Sequence, residues 1–341
     1  MIISHGSAWE FWRFHGHRFF GRPHIPVPST GATKVAATQA KDVAGAFGLS
    51  LPVHVLTTQA KEGSRSASFV KHVFSGAHDL ACVVKVARDL YVVCPELCFQ
   101  QMACHLTEVS LVRMGYELCG TYMPSPGEPG GIASRPALST PPQLRSFIDR
   151  TEGAYPGAKL ARRALRYVLP GSNSPAETVL SMLLTLPYRL GGFKLPFPSL
   201  NASLKINAAS RVLVDRNELR PDLLWRERKV AVEYDSKAHH SDYEQREYDE
   251  CRRNAMQDSG ILYLVITKAQ LKGPALFRTQ ADIIARALGK RVRIKDEAAF
   301  SKKHLELRGE LASWLVPQAG DPPALRPWGP AARRADTVSL R

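Results

Sequence analysis

The stretch R-P-D-L-L-W-R-E-R-K-V-A-V-E-Y-D-S-K-A-H-H, Arg220 to His240, decides the reading of this chain. With strand periodicity, Val230, Val232 and Tyr234 point to one face, and Ala231, Glu233, Asp235 and Lys237 point to the other. Just upstream, Pro221-Asp222-Leu223-Leu224-Trp225 reads as a second short strand, and the charged Arg226-Glu227-Arg228-Lys229 as the turn between the two. A loop over 226–229 sets Asp222 opposite Glu233 on a common face. Carboxylates facing one another across two strands have Cβ atoms about 5 Å apart and repel unless a cation lies between them. A divalent metal is the expected cation, held by Asp222 and Glu233. Asp235, one pleat further on, is the expected third ligand or water-orienting group. Lys237 follows on the same face, where a protonated lysine suits the charge of a phosphorane and equally suits a solvated strand end.

Composition sets the frame. The chain has 341 residues, enough for two ordinary domains and a tail, and 44% of them are hydrophobic, enough to bury substantial cores. Its formal net charge of +15 favours a polyanionic partner. That charge is uneven, net +4 over residues 1–150 and net +11 over 151–341, so a nucleic-acid surface is expected in the C-terminal half. No apolar run approaches the ~18 residues of a membrane helix. Met1-Ile2-Ile3-Ser4-His5-Gly6 lacks the order of a signal peptide, and a cytoplasmic location is expected. The cysteine spacings match no zinc ribbon or redox pair. Cys94, Cys98 and His105 have positions that suit one helical face, but buried thiols are ordinarily small core residues, so no structural metal is expected there.

Along the chain, residues 1–122 mix short strand-like runs (24–28, 53–56, 90–93) with a helical stretch over 95–115, the pattern of a small α/β domain. A Pro/Gly-rich linker is expected over 123–150, opening at Met123-Pro124-Ser125-Pro126-Gly127. A basic helix near 158–169 carries Arg162, Arg163 and Arg166. There follow a helix from Pro175, extended segments within 204–214, the strands at 222–225 and 230–235, and a helix over 244–258 stopped by Gly260. A buried strand at 261–266 and a helix over 274–288 complete an αβββαβ succession with a closing helix, a mixed sheet flanked by helices. Beyond Arg293 an amphipathic helix leads to a Pro-, Ala- and Arg-rich tail with the composition of disorder.

Several of these residues together resemble the restriction-endonuclease-like PD-(D/E)xK superfamily, in its branch of very-short-patch-repair-like endonuclease domains that stand behind an AbiEi-type antitoxin region. The resemblance rests on Ser174-Pro175-Ala176-Glu177, Arg220-Pro221-Asp222, and Val232-Glu233-Tyr234-Asp235-Ser236 with His239-His240. Asp249, Arg252, Met256 and Gly260 extend it ahead of the last core strand. It implies an α/β restriction-endonuclease-like core over 151–292, an AbiEi-like regulatory or targeting domain over 1–122, and a terminal helix and tail over 293–341. It further implies a DNA endonuclease with Mg²⁺ or Mn²⁺ as cofactor, DNA as partner, and a toxin or regulatory partner for the N-terminal domain.

Residue by residue, the resemblance makes Glu177 an outer metal ligand, although Ser174 to Glu177 also reads as a capping box with Pro at the first helical position. It makes His239 a general base, where loop histidines facing solvent are the plainer reading. Arg252 is expected to contact phosphate, or to pair with Asp249 three residues back on a helix. Arg162, Arg163 and Arg166 are expected phosphate contacts that fix register. The chain departs from the branch at Ser236, where glycine is usual, and at Asp235, where the superfamily usually has lysine. Two other readings stand beside the DNA endonuclease: a non-catalytic antitoxin or transcriptional regulator that grips DNA, and an RNA-directed nuclease. The absence of an evident winged-helix pattern near the start argues against an autonomous repressor.

Overall fold

Ile2 and Ile3, among the first residues of the chain, form the central strand of a five-stranded sheet. The computed structural model describes residues 1–28, 35–58, 66–74, 80–151, 155–235 and 243–312. Strand β1 (Ile2–Ile3) is joined by β2 (Val53–Thr57), β3 (Phe69–Val73), β4 (Val83–Ala87) and β5 (Leu90–Val93), in the order β3-β2-β1-β5-β4. Helices α1 (His5–His15), α2 (Ala37–Phe47), α3 (Pro95–Met102) and α4 (Glu108–Cys119) belong to the same half. The single helix expected over 95–115 is therefore two. The chain turns at 103–107, and Thr107 starts α4 by accepting the Ser110 N–H at 3.0 Å.

The stretch expected as a linker is ordered. Strands β6 (Tyr122–Pro124) and β7 (Ile132–Ser134) form a hairpin, and α5 (Pro141–Arg150) follows, capped by Thr140. Leu144, Phe147 and Ile148 of α5 are buried, an i, i+3, i+4 stripe that needs a partner surface. That surface is made by α3 and by α6 (Ala158–Leu165), which packs on α4 and α5. Helix α7 (Pro175–Thr185) is fastened to the N-terminal half by Tyr116 Oη to Ser181 Oγ at 2.9 Å. One hydrophobic core accordingly runs from Met1 to Leu311 across the boundaries anticipated near 122 and 151.

The C-terminal half contains β8 (Ser199–Leu200), β9 (Leu204–Lys205), α8 (Arg211–Val214), β10 (Glu218–Leu219), β11 (Leu223–Trp225), β12 (Val230–Asp235), α9 (Tyr243–Asp258) and β13 (Leu262–Thr267). Four of these strands make a sheet in the order β13-β12-β11-β8, with β11 antiparallel to both neighbours and β12 parallel to β13. The protein is of the α/β class, and α7, β8, β11, β12, α9 and β13 follow the αβββαβ succession. A ribbon of β9 and β10, with α8 between them, is inserted after β8. The segment 204–214, expected to be extended, thus ends in a helical turn. Alternation gives the sheet two unlike faces. Leu223, Trp225, Val230 and Val232 join the main core, whereas Leu224 and Ala231 join a second cluster with Ala255 and Met256 of α9. The strand expected to be buried at 261–266 lies at the sheet edge, where Leu262 is 48% exposed. Among the described residues no helix is long and apolar enough to cross a membrane.

Helices α10 (Lys268–Lys272), α11 (Pro274–Ala287) and α12 (Glu297–Ala312) close the structure. Phe300, His304, Leu307 and Leu311 form the buried face of α12. His304 Nδ1 lies 2.7 Å from the carbonyl of Gly191. Gly191 has φ +85°, and a Cβ there would collide with the Lys303 carbonyl. Gly191→Ala combines a left-handed backbone with a backbone collision and should cost about 2–4 kcal/mol. Thermal unfolding of the full chain checks this, and an unchanged melting temperature would mean that α12 can shift away freely.

Candidate active site

Two strands and two helices bring carboxylates into one neighbourhood. Trp225 stands opposite Val230 and Leu223 opposite Val232, so the loop spans 226–229, and the next step of this register sets Asp222 opposite Glu233. Asp222 Oδ2 accepts the Tyr234 N–H at 2.7 Å, which fixes it against β12. Glu177 enters from the first turn of α7, whose N-cap Ser174 accepts the Glu177 N–H at 3.2 Å. Its carboxylate does not fold back onto the N–H of Ser174 to close a capping box. Oε2 accepts instead from the Asn173 N–H at 2.8 Å and from Asn201 Nδ2 at 2.6 Å. The backbone N–H of Asn201 in turn donates to the Asp222 carbonyl at 3.0 Å, so one residue links Glu177, through its side chain, to Asp222, through its main chain. Asn201 sits at φ +49°, a left-handed conformation that Asn tolerates better than most residues.

Burial sets the electrostatics. It raises the Asp222 carboxyl to about 7, with Glu177 adding to the rise, while the Tyr234 N–H and Arg252 oppose it. Burial likewise raises Glu233 to about 7, with Asp222 as the second cause and Arg252 opposing. Glu177 is raised by burial too, against the bonds from Asn173 and Asn201. Arg252 of α9 reaches across to the sheet and donates to Glu233 Oε1 at 2.5 Å and to the Arg220 carbonyl at 2.9 Å. The side chains of Arg252 and Glu233 are only 18% and 17% exposed, so this pair is screened far less than a surface ion pair. The other oxygen, Glu233 Oε2, is buried and has no hydrogen-bond partner among the described residues. Among the described residues, no three of these acids bring oxygens within 4.8 Å of one another. Asp235 lies two residues along β12, half-buried and paired in register with Thr267. Arg216, Arg220, Tyr248 and Arg252 line a groove beside the acids.

The structure thus brings together Glu177, Asp222, Glu233 and Arg252, with Asp235 following on the same strand. Lys237 and His239, with His240, lie outside the described residues. The basic helix has partners of its own within the protein. Arg162 pairs with Asp149 and Arg163 with Glu108, each at 2.9 Å, so these two arginines tie α6 to its helical neighbours in the N-terminal half. Arg166 is exposed at the end of the same helix. Asn201, Arg216 and Tyr248 were not singled out from the sequence, because none lies in a recognisable spacing. Asn201 depends on a left-handed turn and Arg216 on the inserted ribbon, while Tyr248 lies on α9. Cys82, Cys94, Cys98 and Cys119 are buried. Comparison with protein families, with curated proteins and with solved structures finds no match.

The raised carboxyls have a consequence with a definite sign. A carboxyl whose folded pKa exceeds its unfolded value binds more protons when folded, so its stabilisation is complete below about pH 4 and lost as pH rises through about 7. Buried histidines pull the other way below pH 6.5. Burial pushes His54 down to about 4 and His72 to about 3, and lowers His5 as well. The informative quantity is therefore the difference between wild type and Glu233→Gln in metal-free buffer. From pH 5 to 8 the wild type should lose on the order of 3 kcal/mol relative to the variant, read from denaturant midpoints. Parallel profiles would assign the titration to other groups.

Proposed function

We propose that this protein is a cytoplasmic, metal-dependent DNA endonuclease built on a restriction-endonuclease-like core. The observation that carries the reading is the facing pair Asp222 and Glu233, withdrawn from water beside Glu177, with Glu233 Oε2 buried and unpartnered among the described residues. Buried acids this close are costly unless protonated or matched by positive charge. A hard divalent cation with oxygen ligands suits such a donor set, so Asp222 and Glu233 are the residues that would hold Mg²⁺ or Mn²⁺, with Asp235 and Glu177 next to them. Such an ion supplies polarisation of a phosphoryl oxygen and a more acidic bound water.

The chain's own residues have separable tasks. Arg252 neutralises one oxygen of Glu233 and holds the Arg220 backbone, which orients the β10–β11 connection beside the groove. Arg220 on that connection and Arg216 just ahead of β10 present cations at the groove, where phosphates of a nucleic-acid backbone fit. Asn201 keeps Glu177 turned toward the acid pair. The resemblance places His239 as proton acceptor, and Lys237, by its place in the sequence after Asp235, suits a charge stabiliser. The same resemblance gives the N-terminal half a targeting or regulatory task, with a toxin or regulator as its partner.

One observation favours a second reading. Arg252 already compensates Glu233, and the acids do not converge three at a time, as suits a non-catalytic antitoxin or transcriptional regulator that uses the groove only to bind DNA. Supercoiled plasmid separates the two. The endonuclease should nick or linearise it with Mg²⁺ and not with EDTA, and Asp222→Ala and Glu233→Ala should each reduce cleavage to background while circular dichroism stays unchanged. A chain that retards DNA in a gel but cuts neither DNA nor RNA with any divalent metal would establish the binding-only reading. Cleavage of RNA alone would keep the chemistry and change the substrate.

A further inference from the structure

A second cluster of donors lies far from these acids in sequence, at the start of α3. His24, Cys94 and Glu96 each place a donor atom within 4.8 Å of the other two. Backbone hydrogen bonds bring them together. The Ile25 N–H donates to the Val83 carbonyl at 2.9 Å, the Cys82 N–H to the Ile25 carbonyl at 3.0 Å, and the Cys94 N–H to the Cys82 carbonyl at 2.8 Å. The segment carrying His24 is thus laced to β4, and through Cys82 to the N-cap of α3. Cys94 is that N-cap, and Glu96 lies in the first turn.

Glu96 is the independent sign that something is to be bound. It is only 6% exposed, yet it stands beside a thiol. Its Oε1 accepts from Ser139 Oγ at 2.6 Å, while Oε2 is buried and, among the described residues, without a hydrogen-bond partner. A buried carboxylate oxygen left unpaired is costly, and a cation relieves that cost. His24 is exposed, so its ring can settle onto the pair without disturbing the core.

We propose that His24, Cys94 and Glu96 form a zinc site. One thiolate, one imidazole and one carboxylate are a borderline-soft set that suits Zn²⁺ and not the hard cations expected at Asp222 and Glu233. Three protein ligands leave a fourth tetrahedral position for water on the exposed His24 side. The ion would clip the segment around residues 22–27 to the N-terminal sheet. This site is independent of the endonuclease reading, and neither depends on the other.

Cobalt provides the test because its thiolate complexes absorb in the near ultraviolet and report the ligand directly. The full chain, stripped with a chelator and titrated with Co²⁺, should take up one ion with that thiolate band, and Zn²⁺ should displace it. His24→Ala, at an exposed position, should fold as wild type and weaken Co²⁺ binding by roughly 100-fold or more, the upper end of what losing even an outer-shell partner costs. Cys94→Ser should abolish the band, and should that variant fail to fold, His24→Ala decides alone. Glu233→Gln should bind Co²⁺ at this site as wild type does. No uptake overturns the proposal. So does uptake without a thiolate band, or uptake undiminished in His24→Ala, as would happen if the ion lodged among the neighbouring rings of His5, His54, His72 and His105.

Discussion

The constraint on which the C-terminal half turns is the removal of carboxylates from water on a strand that cannot avoid it. Helices cover both faces of the sheet, and β12 alternates, so placing Val230 and Val232 in the main core sends Ala231 and Glu233 to the face covered by α9. Glu233 then meets Asp222 across the ladder, with Glu177 behind. Arg252 answers one of these charges. Replacing the acids with apolar residues of similar volume would remove the electrostatic cost without changing the alternation, so the fold itself does not need them.

The N-terminal half meets the same problem of buried polar groups and answers it differently. Glu117 is buried against Arg13, and Arg135 donates to the Glu117 carbonyl. Glu108 at the start of α4 takes Arg163 and Arg189 together. These acids are matched by arginines from distant segments and hold helices to one another. Glu96, Glu117 and Glu233 each keep a buried oxygen without a hydrogen-bond partner among the described residues, and of the three only Glu96 and Glu233 stand in the side-chain clusters described above.

Much of the second half was legible because its signals are local. A period of two over 230–235, a charged loop at 226–229 and Pro175 after Ser174 each act within a few residues, and Gly260 at φ +71° ends α9 as a helix stop should. What escaped depends on partners remote in sequence. Proline and glycine marked 123–150 as a break, yet Leu144, Phe147 and Ile148 sit at helical spacing behind a Thr-Pro start, and their burial required α3 and α6. An arginine-rich helix looks the same whether it faces phosphate or Asp149 and Glu108. An apolar run such as 261–266 carries no mark of whether a further strand will cover its outer edge. Asn201 became visible only when its left-handed turn was seen between two acids.

The tie between α4 and α12 bears on the order of events during synthesis. Thr107 and Ser110 at the start of α4 both donate to the carboxylate of Glu310, about two hundred residues later in the chain. At a ribosomal rate of roughly 5–20 residues per second, about 10–40 seconds separate the appearance of the first partner from that of the last. Throughout that interval the groove into which Phe300, Leu307 and Leu311 will fit stands open on a half-built protein. The nascent chain therefore exposes an apolar surface that its finished form does not possess, and a holding chaperone would have that surface to grasp before it closes.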